Sequence, residues 1–280
     1  NTTGFQRTCV VAFKGKVETT EKSVPIQHVG LEEDAARKMG ENSNIIQYRI
    51  DRLCIPLVEV ATAPVIYTPQ EAEEVALAIG RILRASGKVK RGIGTIRQDL
   101  NISIRDGALI EIKGVQELEL VSLVIENEVQ RQLNLLKIKE ELTKHGVKEE
   151  NIKNEFVDVT RVFANAKCKI IRSALEQDKQ VLAVKLPKFE GLLKRELIPD
   201  VRIGTEMADT ARFWGRVGGI FHTDELPAYG ISIEEVNALK RCTNAKSDDA
   251  VVFVADIQEN ASDALKAVNE RAKEALKGVP

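Results

Sequence analysis

Gly94-Thr-Ile-Arg97-Gln-Asp99-Leu-Asn101-Ile-Ser103-Ile-Arg105-Asp-Gly107-Ala-Leu-Ile-Glu111-Ile-Lys113 alternates polar and apolar residues over two runs that meet at an Asp-Gly pair, the pattern of a β-hairpin with one wet face. Arg97, Asp99, Asn101, Ser103 and Arg105 share one side of the first strand, and Leu100, Ile102 and Ile104 share the other. A two-residue loop would pair Ile102 with Glu111 and mix the faces. A three-residue loop of Arg105, Asp106 and Gly107, with Gly107 in the left-handed position, sets Asn101 opposite Glu111 and Asp99 opposite Lys113. The ribbon then offers two carboxylates, two cations and an amide to one ligand, a set suited to a magnesium ion and phosphate oxygens. A solvated sheet face laced by cross-strand ion pairs is the alternative reading.

Outward from the hairpin, 280 residues are enough for two domains. The hydrophobic share of 43% and charged share of 30% are those of a globular chain. A net charge of −1 excludes a globally basic nucleic-acid binder and leaves only local patches such as Lys88, Lys90, Arg91 and Arg97. Cys9, Cys54, Cys168 and Cys242 have no paired spacing, which argues against a zinc knuckle and for free thiols in a reducing cytoplasm. There is no export signal and no apolar run long enough to span a bilayer, so no membrane is expected. The chain starts at Asn1 without an initiator Met and stops at Gly278-Val279-Pro280 after a helical pattern, which reads as a piece of something longer.

The pattern along the chain is α+β. Short strands are expected over 8–13, 24–29, 45–50 and 57–60. Thr68-Pro69-Gln70-Glu71 opens a helix that carries a stripe from Ala72 to Leu83 and stops at Gly87. A second helix runs with Leu118, Val121, Ile125, Val129, Gln132 or Leu133, and Leu136 on one face, to Lys144-His145-Gly146. The polar segment 148–155 is the linker, dividing the chain into 1–152 and 153–280. Beyond it, strands are expected at 156–159, 181–186 and 251–254 and helices at 233–240 and 261–277, with a capping box at Ser232 and Glu235.

Glu32-Glu33-Asp34 is either an acidic metal-binding cluster or the negative first turn of a short helix, and spacing favours the helix. Arg52 is either half of a structural ion pair or a clamp for a carboxylate or phosphate. Gly92-Ile93-Gly94 beside Lys90, Arg91 and Arg97 forms a weak candidate phosphate nest without a Walker ending. None of His28, His145 and His222 sits in a nucleophile motif. Phe221-His222-Thr223-Asp224-Glu225-Leu226-Pro227 reads as a structural turn with a binding loop as the rival, and Trp214 as a core residue with RNA stacking as the rival.

Read together, Gly4-Phe5-Gln6-Arg7-Thr8, Leu31-Glu32-Glu33-Asp34-Ala35, Asp51-Arg52-Leu53-Cys54-Ile55-Pro56-Leu57-Val58-Glu59, Lys90 through Lys113, Gly204-Thr205-Glu206 and His222 to Gly230 resemble the archaeal GatE family of glutamyl-tRNA(Gln) amidotransferase components, relatives of the bacterial and mitochondrial GatB proteins. The resemblance implies a cradle-like catalytic domain with a mainly antiparallel sheet. After it comes an α+β insertion domain of the type shared with bacterial aspartyl-tRNA synthetase, here from about Phe156. It implies a carbon–nitrogen ligase: ATP, with Mg2+, phosphorylates the carboxylate of glutamate on Glu-tRNA(Gln), and ammonia displaces the phosphate. The amide donor is glutamine or asparagine, and ammonia comes from an asparaginase-like amidotransferase partner in a hetero-oligomer. By position, Arg97, Asp99, Asn101, Glu111 and Lys113 are the implied catalytic residues. Arg52, Lys90, Arg91 and Arg97 are the implied substrate and ATP contacts, and Glu32, Glu33, Asp99 and Glu111 the implied metal ligands. The family's opening segment, with its Glu and His, and its later helical and tail domains are not in this sequence, so isolated activity is not expected. Cys54 stands where the family has glycine. A non-catalytic tRNA-binding or assembly module is the competing function.

Overall fold

The computed structural model describes residues 7–42, 44–92 and 94–280. Its elements mix α and β, and every strand pair among the described residues is antiparallel. Two compact units emerge, residues 1–99 with 113–125 and residues 100–112 with 126–280. No helix among the described residues is long and apolar enough to cross a membrane.

The first unit contains β1 (Thr8–Glu18), β2 (Ser23–Glu33), β3 (Arg37–Glu41), β4 (Ile46–Arg49) and β5 (Pro56–Thr62), then α1 (Pro69–Ala85). Its main sheet has the order β1-β2-β5, and β3 and β4 form a separate two-stranded ribbon. Thr68 caps α1 by accepting from the Glu71 N–H at 3.2 Å. The Glu71 carboxylate reaches back one residue further than a capping box requires, to the Tyr67 N–H at 2.8 Å. Ala72 and Val75 of α1 are buried, as are Val17, Val24 and Ile26 of the sheet. Thr20, in the β1–β2 turn, donates its N–H to Glu74 at 2.7 Å and so fastens that end of the sheet to the helix.

Glu32 and Glu33, expected at a helix start, instead close β2: Glu32 lies opposite Thr8 and Leu57, Glu33 opposite Pro56. The preceding Val29-Gly30-Leu31 run is already held by neighbours on both sides, so the ladder overrides the local capping preference of the acidic residues.

The hairpin strands β6 (Leu100–Ile102) and β7 (Ile110–Ile112) follow, and α2 (Glu119–Lys144) begins in the first unit and ends in the second. The rest of the second unit comprises β8 (Val157–Asp158), α3 (Lys169–Leu175), β9 (Gln180–Leu186), β10 (Glu196–Ile198), β11 (Val201–Arg202), α4 (Ile203–Gly215), β12 (Phe221–His222), α5 (Ile233–Cys242), β13 (Ala250–Asp256) and α6 (Gln258–Lys277). The sheet order β12-β13-β9-β8 puts the two near-continuous apolar strands in the centre, as strands covered on both faces require.

Leu182, Val184, Leu186, Val252 and Val254 point into one core with residues of α2, α4 and α6. Val181, Ala183, Val251 and Phe253 point into the other with residues of α3 and α5. Phe253 stacks between Phe163, at 5.0 Å between ring centroids, and Phe221, at 5.3 Å; burying such a ring contributes about 1.5–3 kcal/mol. Position 152/153, where the sequence pattern changes character, lies inside this unit, because Leu135, Ile138 and Leu142 of α2 join its core. The expected capping box of α5 is present: Glu235 N–H donates to Ser232 Oγ at 3.2 Å and Ser232 N–H to the Glu235 carboxylate at 2.7 Å. The short strands β10 to β12 and helices α3 and α4 lie outside the elements expected from the sequence.

Candidate active site

β6 and β7 pair Leu100 with Ile112, Asn101 with Glu111 and Ile102 with Ile110, the register that keeps the apolar pairs on one side. Arg97, Asp99, Asn101, Ser103, Arg105, Glu111 and Lys113 are all exposed, whereas Leu100, Ile102, Ile104, Ile110 and Ile112 are buried or half-buried. The tip differs from expectation in one respect. The left-handed residue is Asp106, at φ 63°, and Gly107 donates its N–H to the Ile104 carbonyl at 3.1 Å.

Glycine at 107 is required for space rather than for φ, since a Cβ there would stand 2.3 Å from Gln132 Oε1 and 2.5 Å from Ile104 Cγ1. Gln132 is fully buried, accepts from the Ala108 N–H at 3.0 Å and donates to Glu128 at 2.9 Å. A buried amide on α2 thus fixes the hairpin tip, and both of its hydrogen-bonding ends are used. The sequence left Gln132 and Leu133 as alternatives for the buried face; Leu133 is exposed. Glu128 in turn takes Arg131 at 3.2 Å, and Arg131 takes Glu206 of α4 at 2.6 Å.

In the first unit, the strands leading into and out of the hairpin continue the ladder. Val115 N–H donates to the Gln98 carbonyl at 3.0 Å. Asp99 accepts from the Gly114 N–H at 3.0 Å and faces Lys113 Nζ at 3.5 Å, the pairing anticipated for those two residues. A backbone N–H and an ammonium on one exposed carboxylate fix its direction while leaving lone pairs for another partner.

Glu33 is gripped by the Arg7 guanidinium at 2.5 and 2.7 Å, which holds its carboxyl below the ordinary range. Glu32 accepts from Thr8 Oγ1 at 3.1 Å. Arg52 binds the half-buried Asp34 carboxylate at 2.6 Å and keeps part of its guanidinium exposed. The neighbouring turn places Cys54 at φ 63°, the left-handed region in which glycine is the unstrained choice, and its N–H donates to the Asp34 carbonyl at 3.1 Å. Gly92 and Gly94 are both at positive φ, and Thr95 Oγ1 caps the Gly92 carbonyl at 2.8 Å. Ile93 of that nest, and Gly4 to Gln6 of the opening motif, lie outside the described residues. Lys90 and Arg91 are both exposed.

Among the described residues, no three His, Cys, Asp or Glu side chains gather into a metal-holding cluster. Trp214, read as core, is exposed together with Phe213. Both project from the last turn of α4, whose buried stripe of Ile203, Gly204, Met207, Ala211 and Gly215 leaves positions 213 and 214 on the outer face.

Residues 1–187 match the GatB/GatE catalytic domain and residues 171–265 match the GAD domain. The whole chain is 56% identical to the E-type component of glutamyl-tRNA(Gln) amidotransferase from Pyrococcus horikoshii. It is 54% identical to that of Aeropyrum pernix and 54% to that of Methanocaldococcus jannaschii. In each case it covers 44% of the relative's length. With two thirds of its residues inside the first of these domains and its motifs in the same order, the chain belongs to the GatB/GatE family and matches its GatE branch.

Proposed function

We propose that this chain carries the carboxylate-activating centre of a tRNA-dependent amidotransferase, an ATP-dependent carbon–nitrogen ligase. One observation supports the reading above the others: the hairpin register sets Asn101 opposite Glu111 with every charged residue of the ribbon on the exposed side. The substrate is glutamate esterified to tRNA(Gln). Its side-chain oxygen attacks the γ-phosphorus of ATP and ADP leaves. Ammonia then attacks the acyl phosphate carbon, inorganic phosphate leaves and the amide retains two of the nitrogen's hydrogens.

In this proposal magnesium arrives with ATP as part of the substrate, as is usual when one or two carboxylates and phosphates hold it. Arg97 and Lys113 neutralise charge on the transferring phosphoryl group, and Lys90 and Arg91 meet the remaining phosphates. Asp99 and Glu111 orient the nucleotide's cation, and Asn101 hydrogen-bonds the substrate. Arg52, braced by Asp34, offers its outer edge to an anionic group. Ammonia is delivered by an asparaginase-like amidotransferase partner from glutamine or asparagine, in a cytoplasmic hetero-oligomer whose catalytic domain is cradle-shaped.

The test is Asp99→Asn in the full-length protein assembled with its partner. Amidation of Glu-tRNA(Gln) is expected to fall at least about a hundredfold, with melting temperature and tRNA affinity unchanged. Wild-type amidation by Asp99→Asn would remove this carboxylate from the mechanism.

A further inference from the structure

Asn101 and Glu111 face each other on a ribbon that cannot fix its own register. β6 and β7 are three residues each, and no third strand among the described residues lies beside them. A two-stranded ribbon is marginally stable at best on its own, and a slip of one residue would turn Glu111 onto the apolar side. The tip is instead pinned from α2. Gln132, fully buried, accepts at 3.0 Å from the N–H of Ala108, two residues before β7 begins. Glycine at 107 is what lets the amide come so close, since a Cβ there would stand 2.3 Å from Gln132 Oε1.

The amide is oriented as well as buried. Its Nε2 donates to Glu128 at 2.9 Å, and because a carboxylate only accepts, the amide oxygen is turned toward Ala108. Glu128 is itself 6% exposed and is held by Arg131 at 3.2 Å. Arg131 reaches Glu206 of α4 at 2.6 Å, and Glu206 takes Arg271 of α6 at 2.6 Å. Three helices thus fix the acceptor that orients Gln132. A buried amide and carboxylate cost more to place than an apolar pair of similar size, so burial alone does not account for them. What the hydrogen bond adds is direction: it ties one backbone N–H to one point on α2, whereas apolar contact is non-directional and tolerates a slipped register.

We infer that Gln132 is a positioning residue for the proposed phosphoryl transfer: through the Ala108 N–H it sets the register that presents Asn101 and Glu111 to substrate, with Glu128 fixing its amide. That role presupposes the hairpin chemistry proposed above.

The experiment is steady-state, tRNA-dependent ADP release by the full-length protein assembled with its partner, at a temperature where circular dichroism melts show every variant folded. Gln132→Met keeps the reach of the side chain and loses both hydrogen bonds. Its kcat is expected to fall at least about tenfold, since a misplacement of about 1 Å can cost about a hundredfold, with the KM for ATP within about threefold of wild type. Gln132→Glu sets a second carboxylate against Glu128 and is expected to lose as much. Adding Glu128→Gln to it restores one carboxylate and one amide with their roles exchanged, and leaves Arg131 on Glu206. This swap is expected to return kcat to within about threefold of wild type. Asn134→Ala removes a different α2 hydrogen bond, 2.8 Å to the Leu197 carbonyl; it controls for lost stability and should keep the wild-type kcat. Wild-type kcat in Gln132→Met, an equal loss in Asn134→Ala, or a swap no faster than Gln132→Glu alone would each overturn the positioning role. Asp99→Asn separates this from failure of the underlying chemistry. If Asp99→Asn is inactive while Gln132→Met runs at the wild-type rate, the positioning role alone falls; if Asp99→Asn releases ADP at the wild-type rate, both fall.

Discussion

The three-stranded sheet of the first unit and the four-stranded sheet of the second are both antiparallel and both built on β-branched strands, yet they live in different surroundings. Around β9 and β13, helices cover both faces, and Val181, Val184, Val251, Val252 and Phe253 are at most 1% exposed. Along β1, β2 and β5, one helix covers one end, while Val10, Val11, Phe13, Leu31 and Val58 remain exposed. Strand propensity and pairing are therefore satisfied in both, and burial distinguishes them. Most of the hydrophobic stabilisation of this chain resides in the second unit, and the chemistry-bearing ribbon is anchored to it at the tip, through Gln132.

The largest effect that sharpens this contrast comes from ion pairs. In the second unit Arg271, 4% exposed, grips Glu206 at 2.6 Å, and Arg131 meets the same carboxylate. Glu206→Gln leaves one buried and one half-buried guanidinium group facing an amide and is expected to cost about 3–5 kcal/mol in urea unfolding. Arg7→Ala breaks an equally short pair in the first unit, but Arg7 is largely exposed, so the expected loss is far smaller than that of Glu206→Gln. Equal losses would erase the distinction between the units.

An intermediate effect is expected at the anchor. Gly107→Ala must displace Gln132 from the Ala108 N–H and should destabilise by about 1–3 kcal/mol. Amide exchange is expected to quicken from Ile104 to Ile110 while β9 and β13 stay protected; exchange rates like wild type across the tip would show that the close approach is not constraining.

The smallest concerns acid. Burial lowers the His222 imidazole below its ordinary value, against the opposing pull of Glu225 and Asp224. The unfolded chain therefore binds this proton first. Stability of the second unit should fall as pH drops below about 6.5, and level off once the folded imidazole titrates. His222→Gln should flatten that slope in denaturation curves measured from about pH 7.5 to 5; an unaltered slope would assign it to other groups.

The sequence was most informative where two levels of pattern agreed. The hairpin register followed from alternation plus the need to keep Ile102 and Ile110 on one face, and both helix caps followed from side-chain chemistry one turn apart. The capping preference of Glu32 and Glu33 misled because it is local, whereas their strand neighbours are not. Asp106 took the left-handed position expected of Gly107 because the requirement at 107 is set by Gln132, twenty-five residues away in sequence, and no turn rule contains that distance. Trp214 was misplaced for a related reason: residue type favours burial, but the face it occupies on α4 is decided by which stripe meets α6.

The central claim is that Asp99 and Glu111 serve one phosphoryl-transfer event. A double-mutant cycle on tRNA-dependent ADP release measures this in the full-length protein with its partner, using Asp99→Asn, Glu111→Gln and the pair together. Groups that stabilise one transition state are strongly non-additive. The double variant is predicted to be no more than a few-fold slower than the slower single variant, with each single variant down at least about a hundredfold. Losses that multiply, or a single variant that releases ADP at the wild-type rate, would contradict a shared centre.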